Sequence, residues 1–216
     1  MLGLLENIEV TRLAKELRRS PRQLNKMFES DAELLKLTST LVLAVTTDSI
    51  NEEIESGLYS EPDQIGWTVV IANLSDLAAV GARPEGILIS LAVPDNLGSD
   101  FKDQLMQGIR MACDEYDVAV LGGDTNSSSQ LALGATALGL IDDAQIMFRS
   151  GIAASDLLYS TGRFGQGAAF AIEKLILGRE HQEFYPQARL MESQVIRNFA
   201  TACIDTSDGF FPAVCN

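Results

Sequence analysis

The chain has a single histidine among its 216 residues, His181, and it sits between charged neighbours in Arg179–Glu180–His181–Gln182. One histidine excludes a multi-histidine zinc centre, and with no nucleophile motif beside it a Ser-His-Asp triad has nothing to work with. His181 is expected at the surface. Cysteines are few as well: Cys113, Cys203 and Cys215 are an odd, widely spaced set, neither a disulfide framework nor a CxxC metal pair. Positive charge is short, with 16 basic against 30 acidic residues and a net charge of −14. That balance argues against nucleic acid, whose binding needs a basic stripe, and against an anionic membrane surface. No apolar run approaches the ~18 residues of a membrane span. Residues 1–6 lack the basic start of a secretory signal, so a cytoplasmic protein is expected. The Walker loop GxxxxGK[ST] and the HRD/DFG pair are absent too, and Gly162, Gly165 and Gly167 are not spaced as GxGxxG.

What is present is a globular composition: 46% apolar and 21% charged residues suffice for a buried core. The length allows one large domain, or one domain and part of another. Residues 6–19 carry helical apolar spacing, and Ser20–Pro21 reads as an N-cap followed by proline in a first helical turn. Residues 40–47 form a β-branched apolar strand ending at Asp48. Residues 62–80 are the clearest helix, opened by Pro62 and closed by Gly81. A strand at 86–93, an amphipathic helix at 99–116 and a strand at 118–121 follow, the last running into Gly122–Gly123–Asp124–Thr125. Strands at 131–141 and 144–148 flank an Asp142–Asp143 turn, and a boundary falls near 149–155. Beyond it the pattern predicts a strand at 157–161, a helix to about 177, a helix near 189–200 and a strand to Asp205. Strands alternating with helices indicate an α/β layered fold.

Acidic residues cluster after the strands: Asp48 after one, Asp124 after another, Asp205 and Asp208 after a third. Ligands of open α/β sheets bind beyond the carboxyl ends of strands, where such side chains converge. Taken singly, each aspartate is equally at home in a turn or a helix cap. Asp76 is different, because residues 69–80 contain only Asn73, Ser75 and Asp76 as polar residues. A carboxylate there needs a partner, a cation or a hydrogen-bond donor, and Asn73 three residues earlier shares its helix face. Magnesium suits several separate aspartates, being a hard ion that completes its shell with waters and substrate phosphates.

Five motifs occur in order: Thr46–Thr47–Asp48; residues 73–84, NLSDLAAVGARP; Gly122–Gly123–Asp124–Thr125; Arg149–Ser150–Gly151; and Ile204–Asp205–Thr206–Ser207–Asp208–Gly209. In order and approximate spacing they resemble thiamine-monophosphate kinase, a member of the ATP-binding superfamily of aminoimidazole ribonucleotide synthetase. The resemblance implies an α/β (PurM-like) fold, a mixed sheet with flanking helices. It divides the chain into an ATP-binding and dimerisation domain, 1–150, and the start of a second domain, 151–216. It also implies γ-phosphoryl transfer from ATP to thiamine monophosphate, several Mg²⁺ ions, and a homodimer with the ATP site near the subunit interface. Carried over by position, Asp31, Thr47, Asp48, Asp76, Asp124, Asp205 and Asp208 correspond to magnesium ligands. Gly123, Asp124, Arg149 and Ser207 correspond to nucleotide contacts, and Tyr116 to an adenine-side tyrosine.

Two departures stand out. The family's GDDAA segment is here Glu29–Ser30–Asp31–Ala32–Glu33, keeping only the second aspartate, and Glu55–Ser56 stands where the family has a substrate-contacting His-Phe pair. About 65 residues follow the boundary, fewer than the family's full second domain. Two readings are therefore open: a thiamine-phosphate-kinase-like phosphotransferase, or an ATP-binding and dimerisation module with a different or missing acceptor site.

Overall fold

The computed structural model describes residues 10–179 and 183–215. Five strands form one sheet: β1 (Glu33–Lys36), β2 (Leu41–Ser49), β3 (Arg83–Pro94), β4 (Val120–Ser128) and β5 (Ala132–Asp142). Their order is β1-β2-β5-β3-β4, antiparallel throughout except for the parallel β3–β4 pair. A parallel pair needs a crossover, and the helix over Ser99–Glu115 supplies it. The short helix α1 (Asn51–Glu55) follows β2, α2 is Pro62–Val80 and α3 is the crossover helix.

The helix α2 has the two ends its sequence announces. Pro62 opens it, and Gly81 closes it with φ 86°, a left-handed cap that frees Gly81 N–H to bond the Ala78 carbonyl. Its middle is largely apolar because most of its sides are covered. Val42, Ala44, Leu133, Ala135 and Ala137 on the sheet are buried along with Val69, Val70, Leu74 and Leu77 of the helix. On another flank α3 comes so close that a Cβ on Gly66 would lie 2.1 Å from the Leu105 carbonyl, and one on Gly108 1.9 Å from the Asp63 carbonyl. Glycine at both crossing points is what lets the two backbones touch.

Only one face of the sheet is covered by helices among the described residues. On the other face Leu43 pairs across the ladder with Leu140, Val45 with Leu138 and Leu88 with Thr136. This face is apolar and half-exposed, with Leu88 38% exposed.

After Phe148 the chain has little regular structure. Helix α4 (Gln166–Ala171) runs into one π-turn (Ile172–Ile176), and α5 (Leu190–Ile196) and α6 (Phe210–Cys215) are short. Helix α5 docks on the end of α2, where carbonyls lack intrahelical partners. There Ser193 donates to the Ala78 carbonyl at 2.5 Å, Arg197 to Gly81 at 2.9 Å, and Gln194 to Gly81 and Ala82.

Several expectations need correction. The helix expected after Ser20–Pro21 is a turn, followed by an isolated bridge from Gln23 to Leu35. Of the helix expected at 6–19, residues 10–14 are helical, and 1–9 lie outside the described residues, as does His181. Residues 144–148 are not a strand: the Asp142 carboxylate accepts from Ala144 N–H and starts a 3₁₀ turn over Asp143–Gln145. Residues 157–161 and the run to Asp205 are irregular as well, with no neighbouring strand among the described residues to complete a ladder. No helix among the described residues is long and apolar enough to cross a membrane.

Candidate active site

Residues far apart in sequence meet around a short stretch, Phe148–Arg149. On one side Arg149 N–H donates to the Glu29 carbonyl, and on the other Cys203 N–H donates to the Phe148 carbonyl, each at 2.9 Å. The loop carrying Asp31 and the loop carrying Asp205 are thereby laid against the end of α2 that carries Asp76. Oxygens of Asp31, Asp76 and Asp205 lie within 4.8 Å of one another.

Each carboxylate is held by a donor. Thr46, pointing from β2 toward α2, donates its hydroxyl to Asp76 at 2.5 Å. Ser75 and Ser207 donate to the two oxygens of Asp205 at 3.3 and 3.2 Å. Arg149 grips Asp31 Oδ1 with Nη2 at 2.8 Å and Nε at 3.3 Å. The Asp31 side chain is 1% exposed, and its second oxygen, Oδ2, has no hydrogen-bond partner. Asn73 sets the fourth aspartate: its amide oxygen accepts from Asp48 N–H at 3.1 Å while its amide nitrogen donates to Val69.

So many acids in one place cannot all stay ionised. Burial, then the charges of Asp48, Asp205 and Asp31, push Asp76 up to about 9 despite the Thr46 hydrogen bond. Asp205 rises to about 6 through burial and Asp31, against the donors Ser207 and Ser75. Burial also lifts Asp48, with Asp208 adding to the rise and a hydrogen bond to Asp76 opposing it. Burial works against the Arg149 cation, but the hydrogen bond and charge of Asp31, with Asp205 and Asp76, outweigh it and raise its pKa. Cys203, beside the same acids, is pushed up to about 11 by burial and then by Asp31 and Asp205, which keeps it a thiol.

Beside this cluster a cavity of about 690 Å³ opens on the uncovered sheet face, walled by Thr47, Asp48, Leu88, Gly123, Asp124 and Thr136 among others. A Cβ on Gly123 would sit 1.9 Å from the Ile89 carbonyl, so this position in β4 requires glycine for close strand pairing. Asp124 is exposed and accepts from Asn126 at 2.6 Å. Thr47 donates to the Ala135 carbonyl and accepts from Thr136.

The structure thus brings Asp31, Asp76 and Asp205 into one cluster, with Asp48, Asp208, Ser207 and Arg149 against it. Thr47, Gly123 and Asp124 share the adjoining cavity with Asp48. Tyr116 does not join them. It caps the far end of α3, where its ring meets Trp67 and its hydroxyl accepts from Ala188 N–H at 3.0 Å. Trp67 and Asp76 are nine residues apart on α2, about 13 Å along its axis. Residue spacing alone passed over Thr46, Ser75 and Cys203; the first two flank Asp48 and Asp76 closely enough that a search for hydroxyl donors beside each acid finds them.

Oxygen donors at this separation, one of them buried without a partner, match the chemistry of a hard divalent cation such as Mg²⁺. The sheet, its single helical layer and this acidic pocket define an α/β domain built around a carboxylate centre. Residues 29–141 match the family described as AIR synthase related protein, N-terminal domain, and the chain belongs to that family.

Thiamine-monophosphate kinase of Buchnera aphidicola subsp. Acyrthosiphon pisum is 31% identical over 189 residues, covering 83% of this chain and 58% of that protein. That of Synechococcus elongatus is 36% identical over 136 residues, 62% of this chain and 42% of its own. The chain therefore spans between two fifths and three fifths of the length of these relatives. The solved structure of AaThiL complexed with AMPPCP and TMP superposes with a TM-score of 0.74 at 25% identity, over 93% of this chain and 63% of that one.

Proposed function

We propose that the chain carries the ATP- and magnesium-binding part of a phosphotransferase of the thiamine-monophosphate kinase type. The observation that carries the reading is the Asp31–Asp76–Asp205 cluster with its buried, unpartnered Asp31 oxygen. The likeness to AaThiL bound to AMPPCP and TMP supports ATP as the phosphoryl donor and thiamine monophosphate as the acceptor.

Asp31, Asp76 and Asp205 would hold Mg²⁺, with Thr47, Asp48, Asp124 and Asp208 as further magnesium ligands on the phosphate side. Bound there, Mg²⁺ supplies neutralisation of the charge on the transferring group. The chain's own part is positioning. Thr46, Ser75 and Ser207 aim the carboxylate oxygens, Gly123 lets β4 approach β3, and the guanidinium of Arg149 is within reach to contact a phosphate. Gly123, Asp124 and Ser207 complete the nucleotide side of the reading.

Residues 1–150 form the nucleotide-binding domain in this reading, and 151–216 belong to a second. Support for that division is the exposure of apolar side chains beyond the boundary, such as Ile152 at 73% and Tyr159 at 82%. The uncovered sheet face fits a homodimer in which a second copy roofs the cavity. A cytoplasmic setting is in keeping with the three free cysteines, Cys113, Cys203 and Cys215.

One observation favours the narrower reading, in which nucleotide binds but the acceptor is handled poorly. Glu55, at the end of the short helix whose Asn51 lines the cavity, is an exposed carboxylate where the family resemblance calls for histidine. Calorimetry with Mg²⁺–AMPPCP, followed by an assay of thiamine diphosphate formation, separates the two readings. Binding without turnover supports the narrower one, turnover the full kinase, and absence of binding defeats both.

A further inference from the structure

We propose that Arg149 and the divalent cation compete for the charge of Asp31, so that cation binding hands the guanidinium over to the nucleotide's phosphates. This rests on the magnesium reading above and extends it to the order of events within the site.

The geometry is specific. Both Nε and Nη2 of Arg149 converge on one oxygen of Asp31, leaving the other buried without a hydrogen-bond partner, and an oxygen of Asp31 lies within 4.8 Å of oxygens of Asp76 and Asp205. Asp31 is thus a single carboxylate pulled from two sides, by a fixed monocation and by the position a dication would take. The rest of the guanidinium is not locked away: the Arg149 side chain is 29% exposed against 1% for Asp31. Among the described residues Asp31 is its only side-chain partner. The backbone of Arg149 is tied to Glu29, so the side chain can swing without disturbing the loop that carries Asp31.

Two positive groups drawn to one buried carboxylate repel each other across a short, poorly solvated gap. Each therefore weakens the other, and the coupling must be reciprocal. A phosphate changes the sign. It attracts the guanidinium away from Asp31, and the carboxylate is left to the cation. A residue that only contacts ATP would leave binding of Mg²⁺ alone unchanged on removal. One that only orients Asp31 would weaken it. Competition predicts that its removal strengthens Mg²⁺ binding and weakens nucleotide binding together.

The test is calorimetric titration of the full chain and of the variants Arg149→Gln and Arg149→Lys, first with Mg²⁺ alone and then with AMPPCP at saturating Mg²⁺. Arg149→Gln should bind Mg²⁺ alone at least threefold more tightly than the parent chain and AMPPCP at least tenfold more weakly. Arg149→Lys keeps the charge and should match the parent for Mg²⁺ within twofold. If Arg149→Gln folds poorly, addition of Mg²⁺ should restore its Tm toward that of the parent, because the cation takes over the charge that Asp31 has lost. Unchanged or weaker Mg²⁺ binding by Arg149→Gln, or no rescue of its Tm, overturns the competition while the magnesium reading stands. Failure of the parent chain to bind Mg²⁺ at all overturns both.

Discussion

Asp76 has the most to lose or gain from its surroundings. It is protonated in the folded chain up to about pH 9, while its ordinary value of 3.8 governs the unfolded chain. Between those values the unfolded chain gives up this proton and the folded chain keeps it, so folded stability is lost as pH rises through the window. Asp205, raised to about 6, acts in the same direction. The Tm measured without Mg²⁺ should therefore fall between about pH 5 and about pH 8, and saturating Mg²⁺ should oppose the fall. Asp76→Asn removes the largest contributor. Its Tm should vary less with pH, and its stabilisation by Mg²⁺ with AMPPCP should disappear. A parent chain whose Tm is flat across that range contradicts the crowded-carboxylate account. So does an Asp76→Asn variant that still gains stability from Mg²⁺ with AMPPCP.

At the level of elements, what could be read from the sequence was whatever a short stretch decides for itself. Pro62 and Gly81 mark the ends of α2, and both ends fall where those residues put them. Asn73 and Asp76 share a helix face and both reach the site, as their spacing required. What could not be read was anything needing a distant partner. Residues 157–161 are as apolar as a strand, yet no neighbour among the described residues pairs with them. Gly122–Gly123–Asp124 looks like a turn, yet β4 continues through it because β3 supplies a parallel ladder. The site shows the same division: Asp48 near the end of β2 and Asp76 in α2 were recognisable, whereas Asp124 lies inside β4, Asp205 follows no strand, and the meeting of residues 29–31 and 203–205 across Phe148–Arg149 could not be read. The crossing of α2 and α3 yields a test at this scale. In Gly108→Ala the new methyl meets the Asp63 backbone rather than a flexible side chain, and urea unfolding should show a loss of about 3 kcal/mol.

For the whole molecule, the bare sheet face and the apolar residues of the second half ask what covers them. If a second copy covers the sheet, light scattering at micromolar concentration should report the mass of two chains. Leu138→Glu, placed on that face opposite Val45, should report one chain with the circular dichroism of the parent. A parent chain that is monomeric throughout removes the dimer and leaves the carboxylate cluster untouched.

The docking of α5 on the end of α2 has a further consequence. Residues 151–165 are exposed throughout and lack regular structure, which makes them the natural place for a protease to cut. A cut there separates Asp205 from Asp31 and Asp76 along the chain but does not touch the bonds from Ser193, Gln194 and Arg197 to the end of α2. The two pieces should stay together through gel filtration, and the nicked protein should still bind Mg²⁺. The carboxylate centre would then be a product of fragment complementation, assembled from two polypeptides rather than one.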